Sequence, residues 1–384
     1  MIDHPMDGGP KRGTHHISKP VGMREIAQAL GISTGTVDRA LHNKPGINAG
    51  TRRQVLEMAK ALGYRPNLAA RYLSSRKHIT IGVCLPMELA YFYGDVRQGI
   101  LDAASGFEAL GIRILHRPYQ VLGQHEAEAI RDVLSEDISG LVISPGYPNQ
   151  VKPYIEQAAK RGIPVLCVAT DAPGTTRLTC VSVDPFINGC LAGELMGQFL
   201  PEGGKVLVLI GMHATFDHGQ KAKGFRHTFR QFCPQGKIVH VIEAHDEEHE
   251  AFSKCHKFLK RERVQGIYVS TANSLPVVHA LETLGLAGRI KVIGTDLFPA
   301  MVPLIESAKL VATIHQRPRE QGRRAFAALI RYITTHTPPP SRINISPAIV
   351  MRSNLHLFLQ QSLGAEAELA AEVPPGTDPR YNVI

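Results

Sequence analysis

The sequence has no run of about 18 consecutive apolar residues, the length a membrane-spanning helix requires, so no span is expected. Met1 to Ser18 is polar, rich in His and Gly, and lacks the apolar stretch of a secretory signal; the chain is therefore expected in the cytoplasm. The six cysteines (Cys84, Cys167, Cys180, Cys190, Cys233, Cys255) show neither CxxC nor zinc spacing, and several lie within apolar segments, which reads as reduced core thiols. There is no Ser nucleophile elbow and no Gly-Lys-Ser/Thr phosphate loop. His245-Asp-Glu-Glu-His249 sets two histidines at i and i+4, but Asp stands where a zinc hydrolase helix carries its Glu general base. That segment reads instead as a solvated helix start rich in acids. No cofactor, metal site or catalytic constellation is left to expect, which turns the reading away from an enzyme.

What is present begins with an uneven charge. Through His78 the chain carries 13 Lys and Arg against 5 Asp and Glu, a net of +8, while the remainder carries 30 against 29. Nearly all of the formal +9 thus lies in the first fifth of the chain, the electrostatic footprint of a nucleic-acid partner. A solubilising tail would not need Arg39, Arg52 and Arg53 inside a folded motif. The motif is a helix-turn-helix: small Ala27 in a first helix, Gly31 four residues later at the turn, and apolar Val37 six after that. Ile26, Leu30, Ile32, Val37 and Leu41 repeat at helical spacing, giving the two helices a shared apolar face. Ser33 and Thr34 offer N-cap oxygens to the second helix, and Asn48 to Leu62 reads as a third, stopped by Gly63.

Beyond this segment, 384 residues with 43% hydrophobic content can bury a large core, and the remainder amounts to about two lobes. Apolar runs beginning at Ile79, Ile112, Gly140, Pro164, Lys205, Lys237, Gly266 and Lys291 alternate with helical patterns. Short buried strands separated by amphipathic helices indicate an α/β architecture with parallel sheets.

Lys19-Pro-Val-Gly-Met-Arg-Glu-Ile-Ala, Gly31-Ile-Ser-Thr-Gly-Thr-Val-Asp-Arg-Ala-Leu-His-Asn and Gly63-Tyr-Arg-Pro-Asn-Leu-Ala-Ala-Arg-Tyr-Leu together resemble the DNA-binding region of the LacI/GalR family of bacterial regulators. The resemblance covers most of the chain, strongly over Lys19 to Lys77 and more loosely through the body. It implies a tail over 1–18, a three-helix DNA-binding domain over 19–66, a hinge helix and linker over 67–78, a two-lobed, Rossmann-like, periplasmic-binding-protein-like effector domain over 79–360, and a tail over 361–384. The lobe changes are expected near Pro201 and Gln316, with a further crossing around Ile343 to Val350.

By the same resemblance two copies of the chain bind a pseudo-palindromic double-stranded operator, most simply as a repressor. The second helix lies in the major groove, with Thr34, Gly35, Thr36, Arg39 and Asn43 toward the DNA. Arg suits bidentate pairing with guanine, and Thr suits a base edge or a thymine methyl. Asp38 departs from the family's usual Ser; it either orients Arg39 or accepts from a cytosine amino group. Asn67 to Leu73 resembles the hinge helix, too short to hold by itself in water, with Leu73 as the apolar wedge in the minor groove.

In the body, Phe92 and Tyr93 resemble an aromatic pair that stacks on a sugar ring. Asn273, Asp296 and Gln316 resemble hydroxyl-binding positions, and Asp171 is a weaker candidate. Amides and carboxylates satisfy the donors and acceptors of hydroxyls, which points to a small sugar or polyol effector. Where an Arg would usually precede Gly224-Phe225, this chain offers His218 and Lys221. A periplasmic sugar receptor would share the body but has no use for a DNA-reading head, and a turnover screen against sugars would expose an enzyme.

Overall fold

A computed structural model of the protein describes residues 22–41, 44–62, 78–107 and 110–359. Asn43, the segment Asn67 to Leu73, and the two tails named above lie outside the described residues. The chain divides into two compact units, 1–76 and 77–384.

In the first unit, α1 (Met23–Leu30), α2 (Thr34–Leu41) and α3 (Ala49–Ala61) close around buried Ile26, Ala27, Val37, Ala40, Val55 and Ala59. Gly31 ends α1 at φ 63°, a left-handed conformation that glycine adopts without a Cβ clash. Ser33 caps α2, its Oγ accepting from the Thr36 N–H at 3.1 Å, and Thr34 is the first helical residue instead of a second cap. Asn48 caps α3 in the same way, accepting from the Thr51 N–H at 2.7 Å.

The second unit alternates strands and helices: β1 (Ile79–Cys84), α4 (Ala90–Ser105), β2 (Ile112–His116), α5 (Glu126–Leu134), β3 (Gly140–Ile143), α6 (Pro148–Lys160), β4 (Val165–Val168) and β5 (Thr179–Val183). Then come α7 (Pro185–Phe199), β6 (Lys205–Ile210), α8 (Phe216–Phe232), β7 (Lys237–Glu243), α9 (Glu248–Leu259), β8 (Gly266–Val269), α10 (Ser274–Thr283) and β9 (Lys291–Thr295). The described part ends with α11 (Val302–Glu306), β10 (Ala312–His315), α12 (Pro318–Thr335), β11 (Arg342–Ile345) and β12 (Ala348–Val350).

The strands form two six-stranded sheets, ordered β11-β5-β4-β3-β1-β2 and β12-β10-β9-β8-β6-β7. Every pairing is parallel except β10 with β12, so the second sheet carries one antiparallel edge that the parallel expectation did not include. Central strands such as β3, β4 and β8 are buried at every position because helices cover both faces, which is why they read as unbroken apolar runs.

The first change of lobe comes earlier than expected. Ala192 and Met196 of α7 pack with Val206, Val208, Phe225, Phe229 and Tyr268 in the core of the second lobe. The chain therefore crosses at Asp184–Pro185, ahead of α7, and the turn-rich Pro201 to Gly204 is an ordinary loop inside the second lobe. It crosses again between β10 and α12, which packs on α4 and the first sheet, and a third time between β11 and β12. Helices α7 and α8 meet through glycine: a Cβ on Gly189 would fall 2.0 Å from the Lys221 carbonyl oxygen, and one on Gly224 2.0 Å from that of Phe186. This contact holds the backbone that carries Lys221.

Candidate effector cleft and nucleic-acid interface

The loops that follow the carboxyl ends of the strands from both sheets converge on one cavity, the position at which open α/β sheets place ligands. The first lobe supplies Leu89, Phe92, Tyr93, Leu122, Ala169 and Thr170; the second supplies Asp217, His218, Lys221, Asp246, Thr271, Ala272, Asp296 and Gln316. Its volume of about 30 Å³ suits a water molecule or two and is well short of a sugar, as the lobes are drawn together over it. Several contacts span the closure. The Asp171 N–H donates to Asp217 Oδ2 at 2.9 Å, the Thr215 hydroxyl donates to the Gly146 carbonyl at 3.0 Å, and the rings of Tyr91 and Phe298 stack at 4.6 Å. Six non-glycine residues in these loops, Leu89, Ala169, His245, Asp246, Asp296 and Arg317, have φ between 49° and 68°. Such strain persists where the surroundings fix the backbone for a purpose.

Asp296 is the most organised group. Its Oδ1 accepts from the Gln316 backbone N–H at 3.2 Å and its Oδ2 from the Gln316 side-chain amide at 2.8 Å, while Gln316 Oε1 accepts from Asn188 Nδ2 at 3.2 Å. Lys221 is buried, its Nζ 3.4 Å from the Ser270 carbonyl oxygen, and it faces Asp296, Asp217 and Asp246. Burial lowers the Lys221 pKa, an effect that the three carboxylates oppose. Burial also raises the acids, Asp217 and Asp246 to about 7 and Asp296 to about 6, against the pull of Lys221. His218 is pushed down to about 3 by burial and then by Lys221, so it is neutral; its Nδ1 accepts from the Met212 N–H at 3.0 Å, which leaves the proton on Nε2.

Of the residues singled out from sequence, Phe92, Tyr93, His218, Lys221, Asp296 and Gln316 line the cavity together. Phe92 and Tyr93 meet edge-on at 5.0 Å, and the Tyr93 hydroxyl lies 3.2 Å from Ser144 Oγ. Asp171 does not line it: its carboxylate is held by Arg177, with Nη2 at 2.8 Å, and by Arg342 at 3.0 Å, so it serves as an internal ion-pair centre. Asn273 is buried behind the wall at the start of α10, where Thr271 and Ala272 are the residues presented. Asp217 and Asp246 were missed. The acid-rich segment read as solvated holds a buried Asp246, while His245 next to it pairs with Glu250 at 2.8 Å. Among the described residues no cluster of potential metal ligands occurs.

In the first unit, Thr34, Gly35 and Arg39 are exposed and Thr36 is half-buried, opposite the Val37 and Ala40 side that packs inward. Asp38 pairs with Lys44 at 2.7 Å, a partner that sequence reasoning did not consider, and Arg52 Nη2 donates to the Lys44 carbonyl at 2.8 Å.

A two-lobed binding body and a helix-turn-helix unit in one chain define a ligand-linked DNA-binding protein, and comparison with known proteins gives its family. Residues 22–67 match the lacI family of bacterial regulatory proteins, and residues 81–337 match the periplasmic binding protein domain. The chain is 30% identical over 292 residues to the HTH-type transcriptional regulator AglR of Rhizobium meliloti, covering 72% of this chain and 76% of that one. It is 23% identical over 340 residues to catabolite control protein A of Priestia megaterium, covering 87% and 99%. Among solved structures, the fructose-binding periplasmic domain of a hybrid two-component system is similar at a TM-score of 0.71 and 21% identity, covering 77% and 98%. A solute-binding protein from Burkholderia graminis in complex with D-arabinose is similar at 0.67 and 22%, covering 72% and 96%. The chain belongs to the lacI family of bacterial regulatory proteins and is a DNA-binding transcriptional regulator. No helix among the described residues is long and apolar enough to cross a membrane.

Proposed function

We propose that the protein is a homodimeric, cytoplasmic repressor without catalytic activity, whose affinity for a pseudo-palindromic operator is set by a small sugar or polyol bound between the lobes of its body. The observation that carries this reading is the cleft itself, where Phe92 and Tyr93 from one lobe face Lys221, Asp296 and Gln316 from the other. A ligand touching both sides stabilises one arrangement of the lobes over another, and an equilibrium of that kind is what an effector can shift. The sugars named with the solved neighbours agree with this chemistry. Thr34, Gly35, Thr36, Arg39 and Asn43 are assigned to the operator, and Leu73 to a wedge in its minor groove; Asn43 and Leu73 rest on the sequence alone.

Selection of bound duplexes from a random pool tests the first half of the proposal. The expected product is a pseudo-palindrome whose binding weakens steeply with salt, since phosphate contacts release counterions. Recovery of unrelated sequences with no two-fold symmetry would contradict it.

A further inference from the structure

We infer that the effector carries a protonated amino group beside its hydroxyls, and that Asp246 is the residue that receives it. This inference rests on the cleft being the effector site.

Asp246 lies at the end of the loop after β7, is 3% exposed, and lines the cavity, yet both of its carboxylate oxygens are buried without a hydrogen-bond partner. Its placement is built. The backbone is held left-handed at His245 (φ 49°) and Asp246 (φ 60°), and Gly211 leaves the room: a Cβ there would fall 2.4 Å from Asp246 Oδ1 and 2.4 Å from His218 Cε1. His218 Nε2 is 3.8 Å from Asp246 Oδ2, beyond hydrogen-bonding distance, and the ring is neutral. Across the closure stands Glu88, which also has a buried, unpartnered oxygen, with Glu247 and Glu248 close enough to act on it. Asp246 thus faces the acidic Glu88 on one side, besides Lys221 and His245 on its own lobe.

The charge balance of the wall points the same way. Asp217, Asp246 and Asp296 all face the buried Lys221, with Arg342 acting besides on Asp217 and His245 on Asp246. Asp296 already has both oxygens on Gln316, and Asp217 accepts from the Asp171 N–H, so Asp246 is the carboxylate left with nothing. A sugar hydroxyl could donate to it but would do little to hold its charge, which burial disfavours and for which Lys221 is shared among three carboxylates. An ammonium group compensates the charge and brings three donors, enough for Asp246 with one to spare toward Glu88. Hydroxyls on the rest of the ligand then meet Asp296, Gln316 and Lys221. The ligand class is an amino sugar or amino polyol.

The test is calorimetry on the full chain with matched triplets: glucosamine, glucose and N-acetylglucosamine, then the galactose and mannose equivalents. One amine is expected to bind at least tenfold tighter than both its hydroxyl and its N-acetyl counterpart. Asp246→Asn should erase that preference, and because the triplet comparison is made in the parent protein it does not depend on the variant folding. Should a neutral sugar bind as tightly as its amine, with binding lost in Asp296→Ala, the amino-group inference is wrong while the cleft assignment stands. Should a member bind and Asp296→Ala leave its affinity unchanged, the cleft assignment is wrong and this inference with it.

Discussion

Replacing Asp296 with alanine should weaken effector binding at least tenfold in calorimetry and leave operator binding by the effector-free protein intact. Asp296 is 4% exposed, lines the cleft, and is oriented through both oxygens by Gln316, so its remaining lone pairs are fixed before a ligand arrives. Each charge-assisted bond from a hydroxyl to such a carboxylate is worth roughly 1.5–3 kcal/mol, and one of them already exceeds a factor of ten. Truncation also leaves the Gln316 amide and Lys221 short of a partner, which adds to the loss. Asp296→Asn keeps the volume and separates the loss of charge from any collapse of the loop. Unchanged affinity in both variants would place the effector somewhere else.

The second large effect is expected on DNA. Arg39→Ala should cost about 1–3 kcal/mol at the selected operator and much less on random duplexes, the value of one bidentate guanine contact. Arg39 is exposed on α2, with Val37 and Ala40 carrying the packing, so the substitution removes a reading group without disturbing the three-helix core. Fluorescence anisotropy with both duplexes at one fixed salt concentration measures the two losses. Equal losses would reduce Arg39 to a phosphate contact.

What could be read from the sequence was what local spacing determines. The turn at Gly31 and the apolar faces of α1 and α2 are fixed within fifteen residues, and strands buried on both faces announce themselves as apolar runs. Strand β5 did not, because Thr179 and Ser182 put hydroxyls into a segment that is buried at all five positions; those hydroxyls are satisfied by the Pro340 and Val183 carbonyls. The first lobe crossing was misplaced for a related reason. Pro201 to Gly204 has the composition of a boundary, whereas the choice of lobe by α7 depends on Phe225 and Tyr268, far along the chain. In the cleft, Asp171 stands off the cavity and Asp246 lines it. Arg342, from the last strand of the first sheet, claims Asp171, and the approach of the lobes buries Asp246 within a segment that looks solvated. Neither event leaves a mark in the local sequence.

The central claim, that one ligand equilibrium in the cleft governs DNA affinity, is tested most directly by reciprocity. Effector affinity is measured by calorimetry on the free protein and on the protein saturated with its selected operator. Linkage requires the two values to differ by the same factor by which saturating effector changes operator affinity, a coupling that usually amounts to 5–150-fold. Equal effector affinities in the two states, with operator binding indifferent to effector, would contradict the account.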